Sequence, residues 1–170
     1  MERWSQHPRD QSPKNQIGSL IVHIFQKQRA LPIDSASVEA AVLFLLKAKK
    51  VSCQEIALHF VGKKKIAKLH GEYFDDPTPT DCISFPIDPA FSLGEVFICP
   101  EVARDYAKEH GLDPYEETTL YLVHGILHLL GYDDIEEKDR RLMKKEEARC
   151  LKLLKEKKLL LKKKKLHPID

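Results

Sequence analysis

Long apolar runs are missing from this chain. None approaches the roughly 20 residues that a membrane-spanning helix needs, so the sequence carries no candidate span. The first residues lack the charged, then apolar, then small pattern of a secretory signal. Cysteine is sparse: Cys53, Cys82, Cys99 and Cys150 include no C-x-x-C pair, and three of the four fall in strand or helix patterns. Widely spaced thiols in such patterns read as reduced, buried side chains rather than a disulfide framework. The expectation is a cytoplasmic protein without disulfides. No internal repeat is visible either. What remains, at 170 residues, 42% apolar and 32% charged, is enough for one compact domain with a sizeable core.

Charge is unevenly distributed, and the net value of +2 hides it. Residues 138–165 hold 14 of the 28 Lys and Arg but 4 of the 26 acids, a local balance of +10 against −8 for the remainder. The basic part ends in Lys162-Lys163-Lys164-Lys165. Such a run is either a solvated face with a frayed terminus or a non-specific, salt-sensitive phosphate contact. It has no aromatic residue for base stacking, so any nucleic-acid contact there would be with backbone.

Periodicity gives the order of elements. Residues 20–25 read as a strand, and Asp34 or Ser35 can cap a helix running to about Lys49 with Val38, Val42, Leu45 and Leu46 inward. Ile56, Leu58 and Phe60 alternate as a second strand. A short helix fits 63–73, and the Pro- and Thr-rich stretch 75–81 is a loop. Two short strands follow at 82–85 and 95–99. Pro100 opens a helix closed by Gly111, Pro114 opens the next, and the last begins near Glu136. Strands interleaved with helices and ending in helices indicate an α+β fold with a small mixed sheet.

The densest chemistry lies in His124-Gly-Ile-Leu-His128-Leu-Leu-Gly131-Tyr132-Asp133-Asp134. Side chains at i and i+4 lie on one helix face, so the two imidazoles can grip one ion. Gly131 lets the chain leave the helix through a left-handed residue. Asp133 or Asp134 can then swing back as a third ligand. Two His and a carboxylate with an open position describe a catalytic zinc site. The plain alternative is a pair of ordinary core or surface histidines. Against it, Leu120, Leu122, Val123, Leu127 and Leu130 bury this helix, and an unpaired polar group there costs roughly 1–3 kcal/mol. The glutamate of the H-E-x-x-H proteases is absent, its place taken by Gly125, which argues against proteolysis and suits close approach of a strand or a substrate backbone.

These residues resemble the signature of the YbeY family of bacterial endoribonucleases, H-G-x-L-H-L-x-G-Y-D-H. Two further blocks are similar to that family's motifs in order and spacing: Pro79-Thr-Asp81-Cys82-Ile-Ser84-Phe-Pro86 to P-T-D-V-L-S-F-P, and Leu93-Gly-Glu-Val-Phe-Ile-Cys99 to L-G-D-I-x-I-S. The resemblance implies one Zn²⁺ held by His124, His128 and Asp134 on a late, zincin-like metal helix, with Asp133 as the alternative third ligand. It implies a single-strand-specific endoribonuclease of ribosomal RNA maturation and ribosome quality control, with RNA and the ribosome as partners. It also implies a catalytic domain over 17–158, preceded by a loosely ordered 1–16 and followed by a basic tail, 159–170.

Two departures stand out. Asp134 occupies the place of the family's third histidine, and a carboxylate cancels one unit of the ion's charge, weakening its pull on phosphate. Phe74 stands where the family tends to carry arginine, so a phosphate needs a cation from elsewhere, with Lys63, Lys64 or Lys65 as candidates. Thr80, Asp81 and Ser84 are candidates for facing substrate, with turn hydrogen bonds the competing role for Thr80 and Asp81. A zinc peptidase and a non-catalytic ribosome-binding factor with a structural metal are the competing functions.

Overall fold

A computed structural model describes residues 20–52 and 55–168; the expected loose segment 1–16 lies outside them. The element order is β1 (Ile21–Lys27), α1 (Ser35–Ala48), β2 (Glu55–Val61), α2 (Lys63–Phe74), β3 (Cys82–Pro86), β4 (Gly94–Ile98), α3 (Pro100–His110), α4 (Pro114–Leu129) and α5 (Glu137–Glu156). The expected α+β fold with a mixed sheet is what forms. The sheet runs β1-β2-β4-β3, parallel except for β3. β3 is an edge strand, and Pro86 at its end removes a donor where the ladder stops.

Helix α1 begins where Asp34 accepts the amide of Ser37 at 3.3 Å, a side-chain cap for one of the orphan donors of the first turn. Its buried residues Val38, Ala41, Val42, Leu45 and Leu46 follow the 3.6-residue period and share one core with Ile56, Leu58 and Phe60 of β2. Helix α4 is different: it is apolar on nearly every side. Asp113 caps it by accepting the amides of Tyr115 at 2.7 Å and Glu116 at 3.2 Å. Thr118 and Thr119, both buried, satisfy their hydroxyls by donating to the carbonyls of Pro114 and Tyr115 one turn back. This helix therefore sits between sheet, α3 and α5 with no unpaired buried side-chain polar atom among the described residues.

Packing continues past the end of α5 into the basic segment that begins at residue 159. Leu161 is 2% exposed, and its amide donates to Thr119 Oγ1 on α4 at 3.0 Å. The amide of Lys162 donates to Ser37 Oγ, and the carbonyl of Lys162 accepts the amide of Asp34 at 2.9 Å. Residues 159–164 thus run back between α1 and α4 with their lysine side chains outward. The run of lysines masked the leucines beside it, because three apolar residues in a basic stretch are too few to show a period. Among the described residues, no helix is long and apolar enough to cross a membrane.

A docked segment makes a prediction that a frayed tail does not. Leu161→Ala should destabilise the protein by about 2–5 kcal/mol in urea unfolding; a midpoint equal to that of the unaltered protein would contradict the docking.

Candidate metal centre

Residues paired directly across strands share a sheet face, and the register decides which side of β3 faces the metal helix. Ser84 pairs with Val96 and Cys82 with Ile98, and Val96 and Ile98 belong to the core under α4. Cys82 and Ser84 therefore look toward α4, while Ile83 looks away into a smaller cluster with Ile66 and Leu69 of α2. The approach of α4 to this face is close. A Cβ on Gly125 would lie 2.4 Å from Val96 Cγ1 and 3.3 Å from Ser84 Oγ. With no Cβ in the way, the Ser84 hydroxyl donates to the Gly125 carbonyl at 2.8 Å.

That contact turns the next face of α4 into an open cavity of about 500 Å³. His124 Nε2 and His128 Nε2 lie 3.0 Å apart, and Asp134 Oδ2 lies 3.4 Å from each. Gly131, with φ +95°, makes the turn that returns the chain to the histidines. Asp133 is occupied otherwise: its Oδ1 accepts the amides of Asp134 at 2.7 Å and Ile135 at 3.3 Å, shaping the loop.

The spacing tests whether a metal fits. Tetrahedral ligands at about 2.0–2.1 Å from zinc are about 3.3–3.4 Å from one another. The observed triangle of 3.0, 3.4 and 3.4 Å is close to that face, and the donor set of two imidazoles and a carboxylate suits zinc. Behind the triangle, Glu147 of α5 hydrogen-bonds His124 Nδ1. A carboxylate only accepts, so Nδ1 carries the proton and Nε2 presents its lone pair to the cavity, the arrangement common to metal-binding histidines. Burial disfavours charge on His124, but the Glu147 hydrogen bond, with Asp81 and Asp134 nearby, outweighs it and raises the pKa.

Asp81, Cys82 and His124 form a second group of nearby donor atoms. Asp81 is already used, accepting from the Thr80 hydroxyl at 3.1 Å and the Cys82 amide at 2.8 Å. Burial, reinforced by Asp81, Glu147 and Asp134, holds the Cys82 thiol well above its ordinary pKa. Binding an ion there would cost the thiol a proton, whereas a neutral imidazole offers its lone pair as it stands. Thr80, Asp81 and Ser84 all line the cavity; Asp81 makes the backbone bond expected of a turn residue, while the Thr80 hydroxyl goes to the Asp81 carboxylate.

The lysines expected to supply a phosphate cation are not brought there. Lys63 at the start of α2 is paired with Asp105, and neither Lys63, Lys64 nor Lys65 lines the cavity. Phe74 does line it, as does His70, whose Nδ1 lies 2.8 Å from the Thr78 carbonyl. Sequence reasoning missed His70, Glu147 and Ile135. Glu147 could not have been found from spacing, since it comes from a different helix 23 residues away.

Fold and centre together define a class: an α+β protein with a histidine pair on a core helix and a carboxylate closing a metal-sized triangle. The chain is identified more closely by comparison. The family model described as Endoribonuclease YbeY matches residues 11–155, and the chain belongs to this family. The protein named endoribonuclease YbeY from Protochlamydia amoebophila is 47% identical over 148 residues, covering 84% of this chain and 99% of that one. Its counterpart from Chlamydia pneumoniae is 42% identical over 149 residues, covering 82% and 94%. A solution structure from Thermotoga maritima shares the fold, with a TM-score of 0.59 at 23% identity over 81% of this chain and 92% of that one.

Glu147→Gln removes the charge behind His124 while keeping its shape. Zinc affinity, measured by competition with a chromophoric chelator, should fall about 10–100-fold; unchanged affinity would mean that Glu147 does not support a metal ligand.

Proposed function

We infer that this chain is an endoribonuclease that hydrolyses phosphodiester bonds in single-stranded RNA, using one zinc ion held by His124, His128 and Asp134. The observation that carries the reading is the convergence of those three donor groups in an open cavity, in a member of a family named for endoribonuclease activity. When bound, such an ion supplies Lewis acidity toward water and toward a phosphoryl oxygen. Glu147 keeps His124 oriented and in the tautomer that donates its lone pair inward. Asp134 brings a negative charge where the family motif has a neutral imidazole, so the site binds metal while attracting phosphate less. The close seating of Gly125 on Val96 leaves no room on that side for the glutamate of a zinc peptidase. That favours RNA over a peptide substrate.

The natural substrate in this reading is ribosomal RNA, in maturation and in quality control of the ribosome, in the cytoplasm. The relatives' name, endoribonuclease, supports RNA as the substrate, and the basic character of α5 and the segment after it suits a large polyanionic partner. One observation keeps a second reading in view. No lysine or arginine lines the cavity among the described residues, as a ribosome-binding factor with a structural metal would allow.

The two readings separate in one experiment. Identically purified wild type and His124→Ala are incubated with single-stranded ribosomal RNA; cleavage should occur with the first and fall to background with the second. Equal cleavage by both would remove the chemistry from this centre, and none by either would favour the binding factor. Zinc content should drop in Asp134→Ala and be kept in Asp134→His; equal content in all three proteins would move the third ligand to Asp133.

A further inference from the structure

The cavity has a charge problem that its own walls do not solve. Asp81, Asp133 and Asp134 line it, Glu147 stands directly behind His124, and none of the lining residues is Lys or Arg. A divalent cation would leave these four carboxylates in excess. A phosphodiester entering such a site is repelled unless a cation meets it at the rim.

Several cations on and beside α5 are already engaged. Lys49 is paired with Glu146 and hydrogen-bonded to Tyr132. Arg141 is paired with Glu137, and Arg149 lies 3.5 Å from Glu146. Arg140 differs from these. It is exposed, has no carboxylate within 4 Å among the described residues, and donates from Nη1 to the carbonyl of Ile135 at 2.9 Å. Ile135 lines the cavity and directly follows Asp134. Arg140 also lies seven residues before Glu147 on α5, so the two share a helix face about 10 Å apart along the axis. One side of α5 therefore supports the metal helix through Glu147 and reaches the cavity mouth through Arg140. The acid of that turn nearest in sequence, Asp139, lines a separate hollow with Leu130 and Leu142.

We propose that Arg140 is the phosphate-binding cation of this centre, taking a phosphodiester of the RNA strand at the cavity mouth. The proposal rests on the endoribonuclease reading for its substrate class. With Nη1 committed to Ile135, the Nε and Nη2 edge of the guanidinium remains for two parallel hydrogen bonds to phosphate oxygens. The bond to Ile135 limits the freedom of a long side chain before substrate arrives, which lowers the entropy lost on binding. From Arg140 the strand can continue over the lysine-rich outer face of α5, where Lys144 and Lys145 are exposed.

The test is equilibrium binding of a fluorescein-labelled single-stranded RNA oligonucleotide across a salt series, beside cleavage, with zinc content measured for every protein. Wild type is compared with Arg140→Ala, Arg140→Gln and Arg140→Lys. The glutamine keeps an N–H for the Ile135 carbonyl but loses the charge, so it separates phosphate binding from support of the Asp134 loop. Arg140→Ala and Arg140→Gln should both weaken binding about tenfold at low salt and lower the salt slope by about one, with zinc content unchanged. Arg140→Lys, which keeps the charge without the fork, should recover the salt slope and part of the affinity.

Wild-type affinity and slope in Arg140→Gln would overturn the proposal, and if the protein still cleaves RNA the endoribonuclease reading survives. Weakened binding in the variants without cleavage by wild type would support Arg140 and overturn that reading. No binding of RNA by wild type would overturn both.

Discussion

The centre depends on how closely α4 lies against the sheet. At Gly125 the helix backbone meets Val96 at a distance that excludes any side chain, and Ser84 bonds to the helix carbonyl from the next strand. On the helix, His124 one residue before Gly125 and His128 three residues after it are both turned toward the same flank of that contact, by about 100° and about 60°. His128 and His124 consequently project from the side of α4 into open space, held by a helix with no freedom to shift. A metal site needs its donors fixed to a fraction of an ångström before the ion arrives. Here apolar packing holds α4, and the hydrogen bonds of Ser84 to the helix and of Glu147 to His124 fix what the packing leaves free.

Much of this could be read from the amino-acid order, for local reasons. The i, i+4 histidines, the glycine that breaks the helix and the acid that follows lie within eleven residues, and helix geometry with one turn at Gly131 brings them together. The strands and caps were legible because alternation and capping are local as well. The missing glutamate of the peptidases also had a physical reason, visible in the seating of Gly125 on Val96. Element ends differed from expectation by a residue or two, as at β1, which ends two residues later, and β4, which begins and ends one residue earlier, because strand ends carry no period.

What was not legible came from contacts between distant parts. Glu147 supports His124 from another helix, and nothing in the spacing of a charged helix marks one glutamate among many. The docking of Leu161 was hidden by the lysines around it. The cation was sought on α2, close in sequence to the Pro-Thr-Asp block, yet Lys63 faces Asp105 on α3 instead. Charge runs are poor guides to position, because a lysine's partner is chosen by tertiary packing rather than by its neighbours in sequence.

The chemistry of this centre depends on which atoms hold the ion. The most direct measurement is X-ray absorption at the zinc edge on protein loaded with one equivalent of zinc. Two imidazoles and a carboxylate predict nitrogen and oxygen scatterers at about 2.0–2.1 Å, with the outer-shell signature of two histidine rings. A sulfur scatterer at about 2.3 Å would mean that Cys82 binds the ion. That result, or a shell without imidazole, would contradict the assignment of His124, His128 and Asp134.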